Sequence, residues 1–490
     1  MRPLRFVLHA FVALVACDGC HHLPLWKGDV KVTPLERKAV AQCGKGGPTE
    51  EGGKRLTREP YVMSTTTTST VVAWGSTDMR GEVVVTEPGG DVVATVAAAY
   101  VGDPEREARR TSRQKTDPRN LPADDIYVVA AKVDGLEPTH LYCYQVMVDG
   151  VALTERAPIG TAAAPGLEEP TRFVAVGDVG TGGPAQDAIA KRMTEVPFDF
   201  MLLLGDIAYE SGTAAQLQGK FFAMYKDILR YVPIFPSIGN HERRTREGGP
   251  YFEAFVLPEP ERYYSFDWGD VHFVAIDTTQ RDARQVRWLD EDLRRNKQPW
   301  VVVFGHHPMY TNSLRGPQMW IRQAFAKILT DRKVDLVLTG HEHQYERFEV
   351  GGVNYVVSGG GGARLTRFFG SQRALKQATV HHYLAFEVTK DKLVMKAIDI
   401  NGKEIETLTL EKQPSGENTS SDPRQNRVVP EQTIKTDERI HDGEDDDVQR
   451  REVEPPITEP TPVPATTDTT PPASTRATPQ AGNPAGKPTT

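Results

Sequence analysis

The chain has 490 residues, of which 39% are hydrophobic and 25% are charged. This length is too great for one ordinary hydrophobic core, so it predicts two or three folded units. The formal net charge is −8, which gives no indication of a nucleic-acid-binding protein. Any site for an anionic molecule therefore needs a local source of positive charge, which metal ions can supply.

Residues 1–16 have the pattern of a signal peptide, because basic Arg2 and Arg5 precede an apolar run over 6–16. The run is shorter than the ~20 residues that span a bilayer. It ends in the sequence Leu-Val-Ala-Cys, which resembles the lipobox of bacterial lipoproteins. That resemblance implies cleavage before Cys17, lipidation of Cys17 and export to the cell envelope. The protein would then be lipid-anchored to a bacterial membrane, on its periplasmic or surface face. Ordinary cleavage and release of a free protein is the alternative.

The chain contains four cysteines. They are Cys17, Cys20, Cys43 and Cys143. Export places them in an oxidising compartment, where one disulfide is expected. We predict the pair Cys43–Cys143, because this bond would tie the N-terminal arm to the first domain, although sequence alone does not fix the pairing. None of the cysteines is near the motifs described below, which argues against a thiol nucleophile.

Two segments with different compositions lie between the predicted signal peptide and residue 170. Residues 17–59 form a polar, glycine-rich arm, and residues 60–162 contain short β-branched and aromatic runs separated by turn residues. The second pattern is typical of an all-β sandwich. Segment 135–142 resembles the corner before a late strand of fibronectin type III domains, which implies a sandwich of that type.

Residues 170–411 alternate between apolar runs and helical patterns, which predicts an α/β domain. Nearly continuous apolar runs predict strands buried on both faces at 173–176, 200–204, 271–276, 300–304 and 336–338. Helices are predicted at 185–195, 217–229, 283–295 and 317–329.

Hydrophobic periodicity then ends, so residues 412–490 are predicted to be a disordered tail, first charged and then rich in Pro and Thr.

Five short motifs occur in order in the α/β segment, and each begins with a glycine that lets the chain turn as a strand ends. They are Gly177-Asp178-Val179-Gly180, Gly205-Asp206-Ile207-Ala208-Tyr209, Gly239-Asn240-His241-Glu242, Gly305-His306-His307-Pro308 and Gly340-His341-Glu342-His343. Together they offer carboxylates, a phenol, a carboxamide and imidazoles. This mixed oxygen and nitrogen set suits hard or borderline metals.

The five motifs resemble those of the calcineurin-like metallophosphoesterase superfamily, and specifically its purple acid phosphatases, over 171–399. The resemblance implies a β-sandwich flanked by helices in α/β/β/α layers, preceded by the small fibronectin III-like sandwich. It also implies seven metal ligands, which are Asp178, Tyr209 and His343 for one metal, Asn240, His306 and His341 for the other, and Asp206 as a bridge. A bridging anion is physically reasonable, because two cations about 3.5–4 Å apart repel each other.

Gly180 and Tyr209 indicate the subclass. Most metallophosphoesterases carry a ligand histidine two residues after the first aspartate, where this chain has Gly180. Tyr209 offers a phenolate instead, as in purple acid phosphatases, and an anionic ligand in place of a neutral one suits a trivalent ion. The resemblance therefore implies Fe(III) with a second divalent metal, and the ligands do not distinguish Zn, Fe and Mn.

The expected reaction is hydrolysis of a small-molecule phosphomonoester by water that the metals activate. His241 is expected to protonate the leaving group, with Glu242 orienting its ring. Asn240, His241 and His307 are the expected substrate contacts. Arg347 is expected in a structural ion pair rather than at the phosphate.

Two other functions stay open at this point. One is a phosphodiesterase with the same metal centre, because a metal pair can attack both kinds of ester. The other is a non-catalytic binding protein of the cell envelope. The sequence leaves the natural substrate and the oligomeric state undetermined.

Overall fold

The computed structural model describes residues 41–44, 47–48, 50–102, 127–412 and 418–420. The predicted signal peptide, Cys17 and most of the predicted tail lie outside the described residues. Within the described ranges, no helix has both the length and the apolar character needed to span a membrane.

The N-terminal part is a helix followed by antiparallel strands. In chain order these are α1 (Glu50–Arg55), β1 (Leu56–Met63), β2 (Ser69–Ser76), β3 (Arg80–Thr86), β4 (Val92–Tyr100), β5 (Tyr127–Asp134), β6 (Leu141–Val148), β7 (Val151–Ala152) and β8 (Ala157–Gly160). Strand β2 lies between β1 and β5, whereas β3 lies between β4 and β6. Side chains of both groups, such as Trp74 and Tyr144, share one core. The two groups are joined where β4 pairs with β5, so one sheet folds over this core as a small all-β sandwich. Its likeness to fibronectin type III domains stays a prediction.

Strand β1 begins at Leu56, inside the segment predicted to be a polar arm. Arg58 explains the difference, because its side chain is buried although the residue is charged. Its guanidinium carbon lies 3.9 Å from the ring centroid of Phe222, and its Nε donates a hydrogen bond to Gln218. A charged residue in a strand that packs against a helix gives no apolar signal in the sequence.

The disulfide Cys43–Cys143 is present, with its Cα atoms 5.7 Å apart. The predicted pairing is confirmed. Cys143 belongs to β6, so the bond fastens the arm to the sandwich.

The C-terminal part contains two sheets and their helices. Its strands are β9 (Thr171–Val176), β10 (Phe200–Leu204), β11 (Ile234–Ser237), β12 (Tyr264–Trp268), β13 (Val271–Ala275), β14 (Trp300–Phe304), β15 (Leu336–Thr339), β16 (Tyr345–Val350), β17 (Val353–Ser358), β18 (Lys376–Ala378), β19 (His382–Val388), β20 (Lys392–Asp399), β21 (Glu404–Lys412) and β22 (Asn418–Ser420). Its helices are α2 (Pro184–Met193), α3 with the consecutive segments Ala214–Gln216, Leu217–Phe222 and Ala223–Leu229, α4 (Asn240–Arg243), α5 (Gly249–Ala254), α6 (Ala283–Arg295) and α7 (Met319–Asp331). A 3₁₀ turn at Arg246–Gly248 precedes α5.

The strand orders are β22-β21-β20-β19-β9-β10-β11 in the first sheet and β12-β13-β14-β15-β17-β16-β18 in the second. Neighbours β9, β10 and β11 are parallel, as are β13, β14, β15 and β17. Strand β1 pairs with β11 through Met63 and Ile234, which joins the N-terminal sandwich to the first sheet. Strand β22 lies within the predicted tail and pairs with β21, whose outer edge it covers.

The two sheets pack face to face, and helices cover their outer faces. Val302 of β14 contributes to the core between the sheets, whereas its neighbour Val303 packs in the core formed with α6 and α7. Both faces of β14 are therefore buried, which is why 300–304 is apolar without alternation. These layers confirm the predicted α/β/β/α architecture.

Arg347 of β16 is fully enclosed by this packing. Its exposed fraction is 2%, and its Nη2 lies 2.6 Å from Oε1 of Glu406 in β21. The expected structural ion pair is confirmed, and it links the second sheet to the first.

Candidate metal centre

The five motifs meet where the two sheets end. The carboxyl ends of β9, β10 and β11 carry Asp178, Asp206 and Asn240. Those of β14 and β15 carry His306 and His341. Ends of parallel strands lie at one edge of a sheet, and the face-to-face packing brings the two edges together.

One group of ligand atoms surrounds the Tyr209 hydroxyl, and we call it the tyrosine cluster. Tyr209 Oη lies 2.9 Å from Asp178 Oδ1, 3.2 Å from His343 Nε2 and 3.3 Å from Asp206 Oδ2. Burial and the two carboxylates raise the pKa of the Tyr209 phenol well above its usual value. Ionisation of this phenol therefore requires a strong cation at the cluster.

A second group surrounds the Asn240 carboxamide, and we call it the amide cluster. Asn240 Oδ1 lies 2.9 Å from His306 Nε2 and 3.0 Å from His341 Nδ1. His306 Nε2 also lies 3.2 Å from Asp206 Oδ2. The same carboxylate oxygen of Asp206 thus belongs to both clusters.

These distances fit metal coordination. Adjacent ligand atoms of an octahedral ion lie about 3 Å apart when each bond is about 2.1 Å long. The separations within each cluster, from 2.9 to 3.3 Å, are close to that value. Carboxylate, phenol, amide oxygen and imidazole also form a donor set suited to transition metals. The structure brings together all seven residues proposed from the sequence, with Asp206 in the middle.

Backbone carbonyls fix the ring orientation of two histidines. Nδ1 of His306 lies 2.8 Å from the carbonyl of Leu204, and Nδ1 of His343 lies 2.6 Å from that of Arg364. A carbonyl only accepts hydrogen bonds, so Nδ1 carries the proton in both rings and Nε2 offers its lone pair to the clusters. His341 is turned the other way and presents Nδ1.

Three of the seven residues adopt a left-handed backbone conformation. The φ angles are 60° at Asp178, 51° at Asp206 and 67° at His341. Such angles are unfavourable for residues other than glycine and are often found at functional sites. Hydrogen bonds hold them here, because Asp178 Oδ2 accepts the His341 N–H and Asp206 Oδ1 accepts the His241 N–H.

Gly180 cannot be replaced by a ligand side chain in this backbone. A Cβ atom at Gly180 would lie 2.1 Å from the carbonyl carbon and oxygen of Ile207. The loops after β9 and β10 touch at this point, which explains physically why no histidine stands here.

His241 lies beside Asp206, and its side chain is only 9% exposed. Its Nδ1 lies 2.6 Å from the carbonyl of Glu210, so Nε2 is the atom that faces Asp206 Oδ2, at 3.8 Å. The expectation that Glu242 orients this ring is wrong. The Glu242 carboxylate instead accepts hydrogen bonds from backbone N–H groups of the loops after β10 and β11, those of Asp206, Ile207, Ala208 and Gly239.

His307 packs against the amide cluster, with its ring centroid 4.4 Å from that of His341. Its Nδ1 lies 3.1 Å from Thr278 Oγ1. That hydroxyl already accepts the N–H groups of His306 and His307, so its own hydrogen is left to donate to Nδ1. We therefore assign the ring proton to Nε2. Burial and the neighbouring His306 lower the pKa of His307 well below its usual value, which keeps the ring neutral.

Two residues at the centre were missed by sequence reasoning. Thr278 lies three residues after the end of β13, and the polar pair Asp277-Thr278 that follows the apolar run 271–276 was the available signal. Arg315 donates from Nη1 to the His341 carbonyl at 3.3 Å. It lies in the loop between β14 and α7, outside every motif, so no sequence signal indicated it.

Known proteins share this domain. Residues 171–345 match the family model described as Calcineurin-like phosphoesterase. Purple acid phosphatase 23 of Arabidopsis thaliana is 29% identical over 259 residues, which cover 44% of this chain and 56% of that protein. Purple acid phosphatase 21 of the same plant is 28% identical over 311 residues, which cover 57% of this chain and 68% of the relative. The chain thus spans between about half and two thirds of these relatives.

Solved structures include a similar fold. The structure of purple acid phosphatase PPD1 from yellow lupin seeds has a TM-score of 0.64 at 19% identity, and the match covers 73% of this chain and 74% of that one. At this identity the likeness concerns the fold alone. The family match and the convergent motifs concern the same residues. The chain therefore carries a calcineurin-like metallophosphoesterase domain over residues 171–345, with purple acid phosphatases among its relatives.

Proposed function

We propose that this protein is a metal-dependent phosphoester hydrolase of the purple acid phosphatase type that acts on small-molecule phosphomonoesters. The observation that carries the proposal is the shared Asp206 oxygen, which lies 3.3 Å from Tyr209 Oη and 3.2 Å from His306 Nε2. One carboxylate between two ligand clusters is the arrangement that a pair of metals requires. The relatives named purple acid phosphatases support the same activity.

The tyrosine cluster is proposed to hold Fe(III), and the amide cluster a divalent Zn, Fe or Mn ion. Asp178, Asp206 and an ionised Tyr209 would place three negative charges around the metals, which suits one trivalent ion beside a divalent one. The amide cluster contributes only neutral groups besides Asp206, in keeping with a lower charge. When bound, such a pair supplies Lewis-acid polarisation of the phosphoryl group and activation of water.

The chain's own residues would bind the ester and move its proton. His241 Nε2 faces Asp206 Oδ2, the oxygen shared by the two clusters, while its Nδ1–H is held by the Glu210 carbonyl. In the protonated ring, Nε2–H would protonate the leaving oxygen. The Asn240 amide and His307 Nε2–H are the donors proposed for the phosphoryl oxygens.

Metal analysis combined with a visible spectrum tests this proposal. We expect two metals per chain, one of them iron, and a visible charge-transfer band from tyrosinate bound to Fe(III). Tyr209→Phe should remove the band. The matched control is Tyr225→Phe, since Tyr225 is another buried phenol, on α3, and its loss should leave the band intact. A colourless, fully active protein that contains only divalent metal would contradict the assignment of Fe(III).

The preference for monoesters has a separate test. Turnover of an aryl phosphomonoester is compared with that of a bis-aryl phosphodiester on the same metal-loaded chain. We expect the monoester to be the better substrate. Diester turnover with negligible monoester turnover would make the protein a phosphodiesterase, and absence of both in a chain with two bound metals would favour a binding protein.

We further propose that the protein is exported and anchored through a lipid on Cys17. The support is the Leu-Val-Ala-Cys sequence after an apolar run of signal-peptide length. Cys17→Ser should release the protein from the membrane fraction, whereas Cys20→Ser should not. Membrane association that survives Cys17→Ser would overturn the anchor.

A further inference from the structure

Glu342 is a buried carboxylate beside the amide cluster. Its side chain is fully buried, between His341 and His343 in sequence. Within the described ranges, neither of its oxygens has a hydrogen-bond partner, and the nearby Ser313 and Arg315 side chains favour its charged form. Buried carboxylates are normally hydrogen-bonded because desolvation of the charge is costly, so an unpaired one requires an explanation.

Each of the three histidines in the two clusters has one ring nitrogen that faces the cluster and one, here called the outer nitrogen, that points away from it. The three residues differ in what holds the outer nitrogen. The outer nitrogens of His306 and His343 each face a backbone carbonyl at 2.8 and 2.6 Å, respectively. The outer nitrogen of His341 is Nε2, and it has no acceptor at hydrogen-bond distance in the described part of the chain. Arg315 Nη1 lies 3.3 Å from this nitrogen and Glu342 Oε1 lies 3.9 Å from it.

Metal binding decides which of these neighbours can serve His341. A ring that gives the Nδ1 lone pair to a metal carries its proton on Nε2, which then acts as a donor. A guanidinium has no acceptor, so Arg315 cannot receive this proton. Glu342 can, because a shift of about 1 Å brings a carboxylate oxygen from 3.9 Å to hydrogen-bond distance.

We propose that Glu342 is a positioning residue for the metal of the amide cluster. Its carboxylate accepts the Nε2–H of His341, fixes the ring with Nδ1 toward the metal, and balances the positive charge of Arg315. The inference rests on the proposed function only in treating the amide cluster as a metal site. Carboxylates that orient a ligand histidine in this way are worth about 10- to 100-fold in metal affinity.

The test is the Zn²⁺ affinity of the amide cluster, measured by competition with a chelator in the full chain after iron has been loaded. Glu342→Val should weaken Zn²⁺ binding about 10- to 100-fold, and Glu342→Gln should weaken it less because an amide oxygen still accepts. The visible band of the tyrosine cluster should stay unchanged in both variants. A structural role for Glu342 would instead weaken both clusters together.

Glu346→Gln is the matched control, since Glu346 is a buried glutamate four residues further along whose carboxylate accepts from Thr311 and Asn312. The amide cluster of the Glu346→Gln variant should bind Zn²⁺ with the same affinity as that of the wild-type chain. If Glu342→Val does not fold by circular dichroism, Glu342→Gln decides, and unchanged Zn²⁺ affinity in that variant overturns the proposal. An equal loss of metal binding at the amide and tyrosine clusters also overturns the proposal.

The outcome for the wild-type chain separates the two proposals. A wild-type chain that binds only one metal overturns both the proposed function and the role of Glu342. A wild-type chain that binds two metals and hydrolyses phosphomonoesters, with Glu342→Val binding Zn²⁺ normally, overturns the role of Glu342 alone.

Discussion

The two aspartates of the candidate metal centre each divide their oxygens between the backbone and the ligand clusters. Asp206 Oδ1 accepts the His241 N–H, while Oδ2 faces both clusters. Asp178 Oδ2 accepts the His341 N–H, while Oδ1 faces Tyr209. The side chains are therefore positioned by the protein itself, which lowers the cost of assembling the site.

His241 is the residue for which the proposed chemistry gives the sharpest kinetic prediction. His241→Asn should lower kcat about 10²- to 10⁴-fold for an alkyl phosphomonoester, whose alkoxide leaves only when protonated. The loss should be smaller for a nitrophenyl ester, which leaves without a proton. Metal content should not change, and His140→Asn in the N-terminal sandwich should alter neither value. Equal losses with both esters would contradict the role of proton donor.

At the scale of elements, the centre depends on how closely the loops after β9, β10 and β11 approach one another. Glu242 at the start of α4 gathers backbone N–H groups of two of these loops. Gly359, after β17, packs so closely that a Cβ there would lie 2.6 Å from Asp178 Oδ2. Small residues and a buried carboxylate thus determine the spacing of the ligands.

Gly180 tests this dependence on loop spacing. Gly180→Ala should destabilise the domain by about 1–3 kcal/mol through overpacking and should weaken metal binding, because the loops after β9 and β10 would separate. Urea denaturation and metal content measure the two effects. Gly183→Ala is the control, since the nearest atom to its Cβ would be Thr181 Oγ1 at an ordinary 3.4 Å. Equal stability of the two variants would show that the loops tolerate separation.

At the scale of the whole molecule, two features connect parts that are distant in sequence. The Cys43–Cys143 disulfide closes a loop of 100 residues, and β1 continues the first sheet into the N-terminal sandwich. The disulfide fastens the arm to the sandwich, the β1–β11 pairing joins the sandwich to the first sheet, and neither feature contributes one of the seven candidate ligands. Their removal should therefore affect stability more than chemistry.

The disulfide gives the first prediction at this scale. Cys43→Ser and Cys143→Ser should each lower the free energy of unfolding by about 2–5 kcal/mol, because a long loop gains conformational freedom in the unfolded chain. Denaturation without reductant measures the loss, and kcat at low temperature should be unchanged. Cys20→Ser should have no effect. A loss of activity before unfolding would indicate that the sandwich acts on the centre.

The second prediction at the scale of the whole molecule concerns His272 and the dependence of stability on pH. It lies between Asp267 and Asp292, at 2.7 and 2.9 Å from their carboxylates. Burial alone would lower its pKa, but the two hydrogen-bonded aspartates outweigh burial and raise the pKa from 6.5 to about 9. The folded state therefore binds this proton more tightly than the unfolded state does.

Because the folded state binds the His272 proton more tightly, this proton stabilises the fold at low pH and the stabilisation is lost at high pH. The stabilisation is complete below pH 6.5 and is lost as pH rises through about 9, with a total of about 3 kcal/mol. Denaturation curves from pH 6 to 10 measure it, and His272→Gln should flatten the dependence in that range. A variant whose stability declines as steeply as that of the wild-type chain would rule out His272 as the cause.

The sequence determined the elements whose signal is local. The apolar runs 200–204 and 300–304 are strands with the predicted bounds. Strands that are covered on both faces are apolar throughout, so their sequence signal is clear. Strand β11 was not predicted, since its four residues include Pro236, which argues against an inner strand. The proline is tolerated because β1 meets β11 at a single position.

The five motifs, through their resemblance to those of purple acid phosphatases, also predicted the seven candidate ligands that the structure brings together. Only the tertiary structure decided what holds them. Thr278, Arg315 and the Glu210 carbonyl contact the site from positions outside the five motifs. A motif records which residue types a site uses, whereas these contacts arise from two sheets packing together and bringing distant loops to one edge.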